Sequence, residues 1–232
     1  GVCSGSMAVN INMYTLTFNS NGGTAVAAIT QPAGSAIQKP EDPEKTGCMF
    51  GGWYYDADLT LPVTWPYTIG SSDICFYACW NTVPVTIDTV SGSSTVINQS
   101  DGLIYGLKAG LTTVVFESEY IQINGNGSLV YTPSSGILGT GTEVKLIDNS
   151  TGAVIETYRV VIFGDVNGDG NINGIDSGII VDFDNYLFAW DAATDAPFII
   201  AADVNGDGNI NNIDAGIVVN AENYLVNIDQ IL

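Results

Sequence analysis

Two stretches of the chain write the same oxygen-rich pattern, DVNGDGNINGID from Asp165 to Asp176 and DVNGDGNINNID from Asp203 to Asp214. Calcium is a hard cation that takes six to eight oxygen ligands, and side chains at positions 1, 3, 5, 9 and 12 of such a loop wrap oxygens around one point. The first copy offers Asp165, Asn167, Asp169, Asn173 and Asp176, with Asn171 giving its main-chain carbonyl at position 7. The second offers Asp203, Asn205, Asp207, Asn211 and Asp214, with Asn209 at position 7. Position 9 would ligate directly or through water. Gly170 and Gly208 stand at position 6, where the loop turns sharply. Asp, Asn and Gly also fill ordinary surface turns, but a turn requires neither an Asp at position 12 nor the apolar residue repeated at position 8 (Ile172, Ile210). Asp at position 12, in place of a bidentate Glu, has a shorter arm and implies a different coordination geometry. Two calcium ions are expected.

The elements that must hold these loops are asymmetric. AVIETYRVVIF, ahead of the first loop, is rich in β-branched and aromatic residues and reads as a strand, so no helix enters. Each loop is followed by helical spacing, IDSGIIVDFDNYLF and IDAGIVVNAENYLV, giving a loop plus exiting helix, half of an EF-hand. Ile179, Phe183 and Leu187, then Ile217, Ala221 and Leu225, fall four apart and are expected to bury one stripe. Without metal the clustered carboxylates repel, so calcium should drive folding of this tail.

The paired loop–helix pattern over about Gly164 to Leu232 resembles the dockerin family, short calcium-dependent modules that plug bacterial extracellular enzymes and adhesins into cohesin domains. The resemblance implies a small all-α module with near two-fold internal symmetry, two bound calcium ions on the twelve positions named above, and a cohesin on a scaffoldin as partner. The best-known dockerins carry a Ser-Thr pair at loop positions 10 and 11. Here Gly174-Ile175 and Asn212-Ile213 stand there, which points to a more apolar contact. Expected contact residues are Gly174, Ile175, Gly178, Val181 and Asp182, with Asn212, Ile213, Gly216, Val219 and Asn220 on the second copy. Near-symmetry would allow docking in two orientations, opposed by unlike pairs such as Asp182 with Asn220 and Phe183 with Ala221.

Two β-rich stretches precede the tail. YTLTFNSNGG alternates and turns, and with FGGWY and FYACW it resembles the internalin B-repeat family, also called the Listeria–Bacteroides repeat. That family implies a small β-rich, grasp-like module serving as spacer or adhesin. Between residues 81 and 163, PVTIDTV, TVINQ, LIYGL, SLVYT, TEVKLID and VIETYRVVIF read as strands. One short helix is expected after Thr112 or Thr113, with Glu117 downstream. This region is similar to the accessory X modules that lie directly before dockerins, and it implies a rigid pairing with the tail. The expected organisation is a tag or linker remnant at 1–13, the repeat module at 14–80, the X-like module at 81–163 and the dockerin at 164–232. The fold class is thus multi-domain, two small grasp-like or α+β modules followed by an all-α dockerin.

Composition removes whole classes of function. The chain of 232 residues carries 25 acidic residues, five basic ones and no histidine, for a net charge of −20. Nothing can track a phosphate backbone, so nucleic acid is excluded as a partner, and an anionic membrane surface would repel the chain. No apolar run reaches the ~18 residues of a span. Gly5-Ser6-Met7 reads as a cloning scar. Lack of histidine removes Ser-His and Cys-His nucleophile pairs, and the GNG at Gly125 and GTG at Gly139 have no phosphate-binding context and read as hairpin turns. The chain is expected not to be an enzyme. Cys3, Cys48, Cys75 and Cys79 form no CxxC, and free thiols are expected. The rival to an assembly role is carbohydrate binding, with Trp53, Trp65, Trp80, Tyr54, Tyr55 and Tyr67 forming a flat stacking platform for polysaccharide. The same tryptophans match apolar repeat positions, where they would fill a core. A third reading is an adhesin stalk that binds no cohesin. In each case the setting is extracellular or on a bacterial surface.

Overall fold

The computed structural model describes residues 11–134 and 136–231; Cys3 and Gly5-Ser6-Met7 lie outside them. The chain divides into two compact units, Gly1–Pro84 and Val85–Leu232.

In the first unit β1 (Met13–Asn19), β2 (Ile29–Pro32), β4 (Cys48–Tyr54) and β6 (Ile74–Thr82) form one sheet of order β2-β1-β6-β4, while β3 (Ala36–Ile37) and β5 (Tyr67–Thr68) pair separately. β1 and β6 run parallel, with Leu16 opposite Ile74 and Phe18 opposite Phe76. Alternation in YTLTF drives Leu16 into the core. Asn21 (φ +47°) and Gly22 (φ +87°) then make the expected turn, since both conformations suit Asn and Gly. Among the described residues this unit holds no helix, so it is all-β.

Its aromatic residues gather around two buried rings, Trp53 and Phe76. Trp53 is 1% exposed, and Tyr55, Trp65 and Tyr67 meet the ring of Phe76 edge-on at 5.1, 5.9 and 4.9 Å. Trp80 donates its Nε1–H to the carbonyl of Ser20. Edge-to-face packing of this kind stabilises a core and leaves no coplanar row for a sugar ring. Titrating the full chain with soluble polysaccharides should therefore leave tryptophan emission unchanged; a saturable shift would restore the platform reading. Cys48, Cys75 and Cys79 are free thiols. Cys75 and Cys79 lie about 13 Å apart along β6 by strand rise, too far for a disulfide.

In the second unit a five-stranded sheet of order β11-β12-β13-β9-β8 is built from β8 (Val96–Asn98), β9 (Leu103–Tyr105), β11 (Gly127–Thr132), β12 (Glu143–Asp148) and β13 (Val154–Val160). β7 (Thr86–Thr89) and β10 (Ile121–Asn124) pair beside it. Thr112 caps α1 (Thr113–Val115), its Oγ1 accepting the Val115 amide, and the chain continues into a single wide turn at Phe116–Tyr120. Glu117 is not part of a capping box; it accepts the hydroxyl of Tyr131.

The predicted strand through Phe163 stops at Val160, and the reason is packing. Val160 and Ile162 face a core with Ile104, Phe116, Leu138, Val144 and Tyr158. Val161 and Phe163 face a second core with Val166, Ile180, Ala201, Ala215 and Val218. The segment is a wedge buried on both sides, joining the β-sheet to the tail without a linker. The GNG and GTG turns are not hairpins. β10 and β11, either side of Gly125, pair with β7 and β12 respectively, and Gly139–Thr142 turns back against the first loop.

The tail contains α2 (Gly174–Asp184), α3 (Ala196–Ala202) and α4 (Asn212–Glu222). α2 and α4 pack together, Ser177 Oγ donating to the carbonyl of Ala215 at 3.1 Å. The buried stripe is not the predicted one. Ile180 and Val218 are fully buried, Ile179 and Ile217 half-buried, while Leu187 and Leu225 are exposed beyond the helix ends. Both helices stop at an Asn C-cap (Asn185, Asn223), so the four-residue spacing no longer applies two residues later.

Candidate calcium loops and docking face

Each loop is held by its own amides. Asp176 is fully buried; its Oδ1 accepts the N–H groups of Val166 and Asn167 at 3.0 and 3.2 Å, and its Oδ2 accepts that of Asn173 at 3.0 Å. Asp214 repeats this on Val204, Asn205 and Asn211 at 3.0, 3.2 and 3.1 Å. Asn167 accepts from the Asp169 amide and Asp169 from that of Asn171, each at 2.8 Å; Asn205, Asp207 and Asn209 do the same. Asn173 and Asn211 also serve as N-caps of α2 and α4, completing capping boxes with Asp176 and Asp214. Position 9 is thereby fixed by the helix as well as by the loop. Gly170 and Gly208 have φ of +83° and +84°, which only glycine adopts without strain.

The first residues of the loops differ. Asp165 is fully buried, and its Oδ2 accepts the amides of Gly170 (3.1 Å) and Thr140 (2.8 Å), the latter from the turn before β12. Asp203 is only half-buried and is held by Asp207 and Gly208 amides of its own loop. Burial pushes the Asp165 carboxyl up to about 6; the Thr140 amide opposes the rise and the charge of Asp176 adds to it. Burial likewise raises Asp176. The Asn209 amide holds exposed Asp207 below the usual carboxylate range.

These groups fit a divalent, oxygen-seeking cation. Buried carboxylates need a compensating positive charge, yet no Lys or Arg follows Arg159. The ion pairs among the described residues, Lys39–Asp42 and Lys145–Glu143, do not involve the loops. No group of three or more Asp, Glu, His or Cys side chains is gathered as a metal cluster among the described residues. The amide oxygens of Asn167 and Asn205 and the carbonyls of Asn171 and Asn209 would therefore have to share the coordination with the carboxylates, as the loop pattern requires.

The predicted contact residues lie together on the helix pair. Ile175 and Ile213 are 63% and 61% exposed at the N-termini of α2 and α4, Gly178 and Gly216 face open space, Asp182 and Asn220 are exposed, and Val219 is exposed where Val181 is half-buried. The ends of the two helices cross reciprocally. Asp184 accepts from the Asn212 main chain and side chain, and the Glu222 carboxylate lies beside Gly174. Each acid therefore sits at the positive end of the opposite helix. Sequence reasoning missed Tyr186 and Tyr224, 95% and 96% exposed at φ of +60° and +59°. Their signal was the identical Asn-Tyr-Leu that follows both helices. The copies are not interchangeable everywhere, since Phe183 packs against Trp190 at 4.9 Å while Ala221 stands in its place in the second copy.

Tandem loops with buried position-12 carboxylates, each opening a capped helix, define a duplicated loop–helix pair. Residues 163–221 match the Dockerin type I domain, and residues 14–79 match the Listeria-Bacteroides repeat domain. The chain thus carries a dockerin type I match in its tail and a Listeria-Bacteroides repeat match in its first unit. Two curated relatives from Evansella cellulosilytica are each 40% identical over 85 residues, 36% of this chain: a "Putative Gly-rich membrane protein" and a "Putative membrane protein". The chain spans only 10% and 13% of their lengths. Among the described residues no helix is long and apolar enough to cross a membrane.

Proposed function

We propose that this chain is a non-catalytic assembly segment of an extracellular bacterial protein, binding a cohesin on a scaffoldin and so attaching its parent to a cellulosome-like complex. Two calcium ions, one in each loop, would order the helix pair. Residues 81–163 would act as an X-like support and the N-terminal repeat as a spacer. The observation that carries the reading is the near-duplication of the loop hydrogen bonds, which sets Ile175 and Ile213 at equivalent exposed sites. Ile175, Ile213 and Val219 are exposed apolar side chains among exposed Asp182, Asn212 and Asn220, a mixture that suits a protein contact.

Ile175→Asp and Ile213→Asp place a charge in that contact. Each should weaken cohesin binding about tenfold or more by calorimetry, consistent with truncating a central contact worth over ~1 kcal/mol, and leave calcium uptake intact. Loss in only one variant selects a single docking orientation. Unchanged affinity in both singles and in the double variant would remove this face from the contact. Failure to bind any of a cohesin panel in calcium would favour a calcium-stabilised stalk.

A further inference from the structure

We infer that the two loops bind calcium unequally, and that the turn segment Ile137–Gly141, just before β12, is a positioning element for the first site. This rests on the calcium reading of both loops. The two loop sequences are identical from position 1 through position 9, so any difference between them must come from what surrounds them.

Around the first loop the surroundings are backbone at close range. The Thr140 amide donates to Asp165 Oδ2 at 2.8 Å, and the Gly110 amide donates to the Gly170 carbonyl at 2.6 Å. A Cβ on Gly139 would come within 2.2 Å of the Gly168 carbonyl oxygen; one on Gly168 would meet the Thr140 carbonyl oxygen at 2.7 Å, and one on Gly170 the Leu138 carbonyl oxygen at 2.6 Å. The equivalent Gly206 and Gly208 of the second loop have nothing within 4 Å of such an atom. Asp203 takes no donor from outside its own loop among the described hydrogen bonds, and Asn205–Asn209 are exposed.

The consequence follows from preorganisation. A loop already clamped in its turning conformation loses less freedom when it closes on an ion, so more of the intrinsic affinity is retained. The Thr140 amide orients a ligand carboxylate from outside the coordination sphere, and removal of such a partner typically costs 10–100-fold in metal affinity. The second loop must be ordered by the ion itself. Loop 1 is therefore the tight site and loop 2 the weak one, and as calcium rises α2 is fixed before α4.

The test is calorimetric titration of calcium into the calcium-stripped full chain, with Asp169→Ala and Asp207→Ala each disabling one exposed ligand. The wild-type chain should show two affinities at least tenfold apart. Asp207→Ala should keep the tighter step, and Asp169→Ala only the weaker one. Gly139→Ala, which forces the clamp off Gly168, should weaken the tight step at least tenfold and leave the weak step in place. Equal affinities in the two single-loop variants, or a tighter second loop, overturn the inference while leaving the assembly role intact. If Gly139→Ala fails to fold, the single-loop pair decides alone. Absence of calcium uptake at either loop overturns this inference and the assembly reading together.

Discussion

Stripping calcium with a chelator is expected to abolish most of the helical ellipticity of the chain while leaving the first unit folded. Helices of two turns or more occur, among the described residues, only in the tail, where α2 and α4 begin directly at the loops. Each ion that binds the folded form alone stabilises it by RT ln(1 + [L]/Kd), about 4 kcal/mol at a thousandfold excess over Kd. Two sites would supply about 8 kcal/mol by the same relation, comparable with the whole stability of an ordinary domain. Removing it also leaves Asp165 and Asp176 buried together without compensation. Circular dichroism at 222 nm, followed during chelation and calcium return, measures the effect. Trp53 is 1% exposed in the repeat core, so in a Trp190→Phe background, which removes the tail's tryptophan, emission should stay constant and serve as the internal control. A helical signal indifferent to chelation would mean that packing on the β-sheet suffices to hold the helices.

Replacing Asp176 by Ala should cost about 3 kcal/mol or more, because three main-chain donors lose their acceptor in one step. Val166, Asn167 and Asn173 all donate to this carboxylate, and an orphaned buried donor costs ~1–3 kcal/mol. The same change removes the capping box of α2 and a calcium ligand. Asp214→Ala repeats the geometry in the second copy and should cost a similar amount when both variants are unfolded at the same saturating calcium. Urea unfolding monitored by helical ellipticity compares the two. A midpoint unmoved in Asp176→Ala would show that water or the neighbouring Asn167 takes over the three donors.

The loops were legible in the sequence because their chemistry is over-determined: ligands, turn glycine and closing acid all recur in two copies at the same spacing. The strands of the second unit were legible for a related reason, since β-branched runs broken by Gly and Asn have few other readings. The phase of the helix stripe was not. Ile179 and Ile180 are adjacent and equally apolar, so periodicity alone could not choose between them, and the choice fell to the Ser177–Ala215 contact with the opposite helix. The clamp on Asp165 was invisible for a different reason. Its donor is the main-chain amide of Thr140, 25 residues before the carboxylate it orients, and an amide N–H leaves no trace in side-chain pattern. Gly139 looked like one more turn residue; only the 2.2 Å approach of the Gly168 carbonyl reveals why a side chain is barred there. The aromatic residues of the repeat were open to two readings until Phe76 was seen at the centre of their edge-on contacts.

The double-sided wedge from Val160 to Phe163 has a practical corollary for anyone transplanting the docking tail onto another carrier. Cutting at Gly164, at the start of the dockerin match, would strip away Val161, Phe163, Leu103 and Tyr105, all members of the core that the helices rest upon. The excised helices would present a raw oily seam and invite clumping. The graft that travels intact starts at Val85 and carries its own foundation with it.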